Sequence, residues 1–514
     1  MSNPQILWAD DEIDLLKPHV LFLTGKGYDV TTVTNGHDAI DMVNRQTFDL
    51  VFLDEHMPGL TGLETLSVIK EAHPELPVVM VTKSEEEDIM DQAIGSKIAD
   101  YLIKPVLPGQ MLLSIKKNLH AREITQQQQT SDYRQEFGRL SMHISDARTL
   151  DEWIDIYRRL VHWELELQQS DAALADMLLL QKQEANASFA KFVKRNYEDW
   201  MKGIGRPRMS TDIFSQSIFP MLDEGKKVFL VVIDNFRLDQ WRTIAPLLSE
   251  WYTATEEIYC SILPTATQYA RNAIFSGLMP DRIAQMFPDL WVDEDEDEGK
   301  NLNEAPLIET QLRRYRRREH FSYHKVNETS YGERLVANLK SLAQNELNVV
   351  VMNFIDMLSH ARTEQKTIRE LASTEAAYRA LTRTWFEHTS TIDLFRRMAE
   401  MGYHVVVTTD HGTIRVDNPV KIVGDKNVNT NLRYKIGKNL AYNPHDVYEV
   451  KRPRDFGLPA LNLSSAYVFA TGRDFFAYPN NYNHYVSYYK DTFQHGGISM
   501  EEMLVPLVTL APRG

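Results

Sequence analysis

The chain has 514 residues, 43% apolar and 25% charged, with a formal net charge of −16. That length is too great for one hydrophobic core and predicts several domains of roughly 100–200 residues each. The acidic balance argues against non-specific binding to DNA or to an anionic membrane surface. The single cysteine, Cys260, excludes a disulfide framework within the chain.

The N-terminus, MSNPQILWADDE, turns acidic at once and does not read as a signal peptide. No apolar run approaches the roughly 20 residues that span a bilayer. The expectation is a cytoplasmic protein without membrane insertion. Residues 1–118 alternate short apolar runs with amphipathic segments. Strands are predicted at 5–10, 28–33, 50–54, 77–82 and 100–105, with five helices filling the alternation, the pattern of a doubly wound parallel sheet. Residues 119–208 are almost free of Gly and Pro until KGIGRPR (202–208) and carry helical spacing, as in LDEWIDIYRRLVHWELELQ (150–168). They predict a helical bundle acting as spacer or dimer contact. QQQQ (126–129) reads as part of a solvated linker helix. From 209 to 514 strand–helix alternation returns. KVFLVVID (227–234), LNVVVMNFID (347–356) and YHVVVTTD (403–410) are predicted strands, each ending in an aspartate.

In an open parallel sheet, ligands bind beyond the carboxyl ends of the strands. The first sheet places Asp10, Asp11 and Asp54 there, with Thr82 at the end of strand four and Lys104 after strand five. Three carboxylates at one rim repel unless a hard cation such as Mg²⁺ sits among them. A carboxylate beside that ion can attack a phosphoryl donor, and Lys104 and Thr82 can contact the new phosphoryl oxygens. Glu12 and Glu55 read as bystanders. This set, with the MPG turn (57–59) and Pro105, resembles the receiver domain of two-component response regulators. The resemblance implies Mg²⁺ held by Asp10, Asp11 and Asp54. It implies phosphorylation of Asp54 by a sensor histidine kinase, reorientation of the switch residues Thr82 and Tyr101 beside Lys104, and then homodimerisation.

The rim of the third region collects Asp234, Asp356, His360, Asp410, His411 and His495. Mixed imidazole and carboxylate suits zinc, and six groups are enough for two ions. Asp356 and His360, four apart, share a helix face. Gly412 permits the turn that lets Asp410 and His411 converge, and the glycines after His495 have the same reading. LPTATQYARNAIFSGLMP (263–280) reads as a turn into a helix, with Thr265 and Thr267 at its start, where backbone N–H groups favour a phosphate. A zinc-bound hydroxyl there is a usable nucleophile. Taken singly, each histidine is more often structural, and His56, His143, His404 and His484 are read so.

This ordered set resembles the alkaline phosphatase superfamily, in particular its nucleotide phosphodiesterase branch and PglZ-type domains. The resemblance implies one zinc on Asp234, Asp410, His411 and the nucleophile, and a second on Asp356, His360 and His495. It favours Thr267 over Thr265 as nucleophile. It also implies a phosphate-holding asparagine three residues beyond, where this chain has Ala270; the nearest substitute is Asn272. A sulfatase setting of Cys-x-Pro-x-Arg is missing.

The expected architecture is therefore multidomain α/β: a flavodoxin-like receiver (1–118), a central helical bundle (119–208) and an alkaline-phosphatase-like α/β domain (209–514). The order of parts resembles response regulators linked to type IX protein secretion. That resemblance implies a phosphodiesterase acting on linear or cyclic oligonucleotides, tuned by phosphorylation of Asp54. The alternative is a non-enzymatic regulator with structural zinc that binds a sigma factor or a secretion component. Sequence-specific DNA binding is not expected, because net charge opposes it and no recognition helix is evident. Three stretches remain outside this scheme: the acidic run DEDEDE (293–298) with the basic run RRYRRRE (313–319), which pairs with acids or binds an oligonucleotide backbone; residues 281–345, which read as a lid; and the aromatic NYNHYVSYYKD (481–491), which lines the substrate pocket or packs in the core.

Overall fold

The structure is a computed structural model, and it describes residues 3–83, 98–119, 121–169, 172–293, 301–424, 429–460 and 464–513. The chain divides into two compact units, Met1–Asp132 and Tyr133–Gly514.

The first unit is built on five strands: β1 (Gln5–Ala9), β2 (Asp29–Val33), β3 (Leu50–Asp54), β4 (Val78–Thr82) and β5 (Asp100–Ile103). Their order is β2-β1-β3-β4-β5, and every pairing is parallel. This is the flavodoxin-like order, whose topological switch lies between β1 and β3. Side chains of a strand alternate between faces. Leu7, Ala9, Val51, Leu53, Val78 and Met80 therefore enter one core, while Ile6, Trp8, Leu50, Phe52, Val79 and Val81 enter the other. Helices Lys17–Gly25, Gly36–Arg45, Gly62–Ala72 and Pro108–Leu119 cover the faces. Thr61 and Glu64 close the third of these with a reciprocal capping box. The remaining expected helix, between β4 and β5, falls mostly on residues 84–97, outside the described residues.

The second unit holds a six-stranded sheet. Its strands are β6 (Val228–Ile233), β7 (Tyr252–Cys260), β8 (Phe321–Val326), β9 (Leu347–Met352), β10 (His404–Thr408) and the C-terminal strand Leu504–Pro512. β10, β6, β9 and β8 lie side by side and parallel. The C-terminal strand runs antiparallel between β10 and β7. β6 and β9 are buried throughout, which their Val-rich composition dictates in a sheet covered on both faces.

Three expectations are changed by the packing. The middle helices Leu150–Glu166 and Ala172–Met201 pack on each other, as Trp153 on Phe189 shows, but they do not stop there. Trp153, Tyr157, Phe189, Tyr197 and Trp200 bury in the same core as β6 and β10, so this segment is a wall of the second unit. The predicted strand ending in Asp356 stops at Met352; Asp356 stands in the first turn of helix Phe354–Glu364. Finally, residues 281–345 are not an added lid. They supply edge strand β8 and helix Glu304–Arg314, which packs under the site helix described next.

Candidate active site and phosphoacceptor pocket

At the carboxyl ends of β1 and β3, Asp10 and Asp54 are buried. The Lys104 ammonium joins them, at 2.6 Å from Asp10 Oδ2 and 3.0 Å from Asp54 Oδ1. Burial pushes Asp54 above the ordinary carboxylate range and its neighbours Asp10 and Asp11 add to this, with Lys104 pulling the other way. For Lys104, burial opposes the charge, but the bonds to Asp10 and Asp54 outweigh it and raise its pKa. Asp10, Asp11 and Asp54 each offer an oxygen to a group spanning no more than 4.8 Å. One ammonium against the buried Asp10 and Asp54, with the exposed Asp11 beside them, leaves a negative excess, the donor chemistry of a hard divalent ion. Thr82 is buried at the end of β4, and Tyr101 is half-buried on β5.

In the second unit the six expected ligands form two adjoining triads. Asp234, Asp410 and His411 are all buried and bring one ligand atom each within 4.8 Å of one another; Asp356, His360 and His495 do the same. The first triad comes from the loops after β6 and β10. The second comes from helix Phe354–Glu364 and the loop before the C-terminal strand. His360 is 63% exposed at its side chain, so the second triad opens to solvent. The rings of His411 and His495 stack across the two, 4.2 Å between centroids and 16° apart.

Both imidazoles are fixed by the backbone. His411 Nδ1 lies 3.1 Å from the Gly412 carbonyl oxygen, and His495 Nδ1 lies 3.1 Å from that of Thr265. Each Nδ1–H therefore donates, and each Nε2 is left as the bare donor a metal requires. Burial, with His411 and His360 alongside, holds His495 well below the usual histidine pKa. Asn235 Nδ2 donates to Asp356 Oδ1 at 3.4 Å and to Ser359 at 3.2 Å, orienting the carboxylate of the second triad. Gly412 serves a close approach, since a Cβ there would strike the Glu501 carbonyl oxygen; Gly496 takes φ +119°.

Helix Thr267–Ser276 delivers Thr267 in its first turn. Thr267 Oγ1 lies 3.4 Å from Asp234 Oδ1 and 3.2 Å from His411 Nε2. Thr265 does different work. Its buried hydroxyl donates to the Gly497 carbonyl oxygen and accepts from Gly496 N–H, clamping the loop that carries His495.

One residue of the site was not expected from the sequence. Arg271, one turn after Thr267, is fully buried. It pairs with Asp234 and, at 3.0 Å, with Asp410 Oδ2; Glu304 lies 3.2 Å from its Nη1. Burial would raise Asp410, but Arg271 and His411 outweigh it and hold the carboxyl below its ordinary range. Asp234 is pushed well up by burial, with Asp410 and Asp356 adding to it against the pull of Arg271. Three buried carboxylates, Asp234, Asp410 and Glu304, meet Arg271, and Lys325 also reaches Glu304 at 3.0 Å; with Asp356 beside them two cations face four carboxylates, so the donor set fits further cations. The i+4 spacing from Thr267 was the signal available for Arg271. Asn272 is buried, roughly 140° around the helix from Thr267. Two of the five arginines in the basic run pair with acids, Arg313 with Glu309 and Arg317 with Asp223 and Glu319, and Arg314 donates to the Ser276 carbonyl oxygen. The acidic run from 294 onward lies outside the described residues.

The family model described as the BREX system PglZ alkaline phosphatase-like domain matches residues 213–510, more than half of the chain. The chain belongs to this PglZ family. Ahead of the PglZ domain, the PorX response regulator linker domain matches 123–201, and the response regulator receiver domain matches 6–116. Receiver, linker and PglZ domain in this order are the arrangement of a PorX-like response regulator. The alginate biosynthesis transcriptional regulatory protein AlgB of Pseudomonas syringae is 36% identical over 124 residues, 24% of this chain and 28% of its own length. The luminescence regulatory protein LuxO of Vibrio campbellii is 36% identical over 16% of this chain and 18% of its own. The chain thus spans less than a third of these curated relatives. A CheY-like receiver domain from Methanospirillum hungatei is 25% identical, covering 24% of this chain and 98% of its own, with a TM-score of 0.23. A receiver domain implies phosphotransfer from a histidine kinase. Among the described residues, no helix is long and apolar enough to cross a membrane.

Proposed function

We propose that this chain is a response regulator, phosphorylated on Asp54, whose PglZ domain is a zinc-dependent phosphodiesterase acting on linear or cyclic oligonucleotides. The observation that carries it is the pair of adjoining triads, Asp234–Asp410–His411 and Asp356–His360–His495, with the Thr267 hydroxyl beside the first. Two zinc ions there would supply charge stabilisation for an in-line displacement and a lowered hydroxyl pKa. Asp234, Asp410 and His411 would hold one, and Asp356, His360 and His495 the other.

Thr267 Oγ1 attacks phosphorus, and its proton passes to solvent water, which returns one to the leaving oxygen. The bond to one nucleoside oxygen breaks, and that oxygen leaves protonated. Water then displaces threonine from the phosphothreonine. Arg271 fixes the carboxylates of the first triad, and Thr265 fixes the His495 loop. In the receiver, Asp10, Asp11 and Asp54 would hold Mg²⁺, which would offset the charge of a phosphoryl donor; Lys104 and Thr82 meet the phosphoryl oxygens, and phosphorylation promotes dimerisation. The likeness of the three-part order to regulators of type IX protein secretion supports that process as the one controlled.

Metal content and turnover of bis-p-nitrophenyl phosphate by the full chain test the reading. About two zincs per chain, turnover in the wild type and loss of turnover with zinc retained in Thr267→Val are expected. A wild type that holds zinc and turns nothing over would reduce the domain to a binding module.

A further inference from the structure

The aromatic stretch 481–491 has no part in the site as built so far. It forms helix Tyr482–Tyr489, on which no residue is buried, so it is not core. One side, Tyr482, Val486 and Tyr489, rests on a small apolar cluster. The other side leaves His484 and Tyr485 exposed and Tyr488 half-buried. Its rings form two ladders at i,i+4: His484 lies 6.3 Å from Tyr488 at 22°, and Tyr485 lies 6.3 Å from Tyr489 at 7°. Cations sit on this helix as well. The Arg369 guanidinium is 5.5 Å from the Tyr488 ring centre, and the Lys421 ammonium is 4.9 Å from that of Tyr482.

The helix is tied to the open triad. Arg369 donates to the carbonyl oxygens of Arg362 and Thr363, on the same helix as Asp356 and His360. Arg362 in turn donates to the Asp491 carbonyl oxygen and lies 4.7 Å from the Phe493 ring centre, two residues before His495. Through Arg369 the exposed aromatic face thus adjoins the C-terminal end of the helix that carries Asp356 and His360.

We propose that the His484–Tyr485–Tyr488 face stacks the nucleobases of a single-stranded oligonucleotide whose backbone enters the site past His360. The assignment rests on the phosphodiesterase reading and names how that site takes its substrate. Every base has a π-face, so stacking tolerates sequence, and the Arg369 guanidinium beside Tyr488 meets a phosphate. In a chain with a net charge of −16, the Arg369 guanidinium beside Tyr488 supplies a local attraction that the molecule as a whole lacks.

The test uses the full chain carrying Thr267→Val, so that binding is read without cleavage, and a fluorescein-labelled oligothymidylate of roughly ten nucleotides, within the usual site sizes. Fluorescence anisotropy gives the affinity. Tyr485→Ala with Tyr488→Ala should weaken it about tenfold or more, an abasic strand of equal length should lose a similar factor on the parent protein, and Tyr485→Phe with Tyr488→Phe should keep the affinity. Equal affinity in the alanine pair, equal binding of the abasic strand, or no binding to the parent overturns the proposal. Hydrolysis of bis-p-nitrophenyl phosphate by the wild type is scored separately. Ring-dependent binding without turnover discards the phosphodiesterase reading and keeps this face; turnover with ring-independent binding does the reverse.

Discussion

His411 and His495 lie ring on ring, 4.2 Å between centroids, one reached from the end of β10 and the other from the loop before the last strand. Two imidazolium ions cannot share that spacing out of water, and both rings must be neutral to bind metal. Burial and the neighbouring His411 and His360 hold His495 well below the ordinary histidine pKa. Unfolded, the ring takes a proton near pH 6.5; folded, it does so only at lower pH. Unfolding of the metal-stripped protein therefore absorbs a proton in that window, and stability falls as pH drops below about 6.5. The loss is at most about 1.4 kcal/mol per pH unit for one such group. Thermal melts with chelator should give a lower Tm at pH 5.5 than at pH 7.5, and His495→Asn should shrink the difference.

Arg271 is the second prediction. Its guanidinium spans Asp234 and Asp410 while Glu304 lies beneath. Lysine keeps the charge and loses the rigid fork. Arg271→Lys is expected to weaken zinc retention or turnover about 10–100-fold, as for other groups that orient metal ligands. Competition with a chromogenic chelator and bis-p-nitrophenyl phosphate kinetics measure the two separately. Unchanged values in both would make Arg271 a packing group only.

These two cases mark how far the sequence could be read. Asp234 and Asp410 follow uniform Val-rich strands, so their place at a sheet rim was legible, as were the five receiver strands with Asp10, Asp54, Thr82 and Lys104. Asp356 was misplaced from strand end to helix because Met352–Asn353 carries no turn signal strong enough to break an apolar run. Arg271 was legible only as a residue one helical turn beyond Thr267. A buried arginine inside a helix looks in sequence like a solvated one, and only the carboxylates contributed by β6 and β10 give it its role. The middle helices misled in a related way. Their apolar stripe was plain, but a stripe does not say whether another helix or a sheet covers it.

The receiver pocket yields a third outcome. Asp54 lies beside Lys104 and Asp10, and its carboxylate is the only one of the acidic set carried at the end of β3. Incubation with acetyl phosphate and Mg²⁺ should give one phosphorylated species on phosphate-affinity gels. Asp54→Asn or removal of Mg²⁺ should abolish it, and Lys104→Ala should change the dimer fraction seen by light scattering after treatment. Phosphorylation surviving Asp54→Asn would relocate the acceptor.

Where the helical segment belongs gives the last prediction. Glu164 pairs with Lys182 at 2.6 Å and with Arg379 at 2.7 Å. Arg379 also reaches Asp239 at 3.2 Å, and Asp239 pairs with Arg237 at 2.7 Å. This buried chain of charges runs from the middle helices to the loop after β6. Alongside it, Trp153, Tyr157, Phe189, Tyr197 and Trp200 are nearly fully buried in the common core. At about 1.5–3 kcal/mol for each large side chain, their sum is comparable with the roughly 5–15 kcal/mol by which a whole domain is stable. A fragment of residues 209–514 should therefore aggregate or bind a hydrophobic dye, whereas 133–514 should be soluble and melt in one cooperative transition. Glu164→Gln in the longer fragment should lower stability by about 1.5–3 kcal/mol, the scale of a hydrogen bond to a charged group, because Lys182 keeps Glu501 and Arg379 keeps Asp239; urea unfolding reads it. A folded 209–514 fragment would restore the helical segment to the status of an independent bundle and detach the charge chain from the stability of the PglZ sheet.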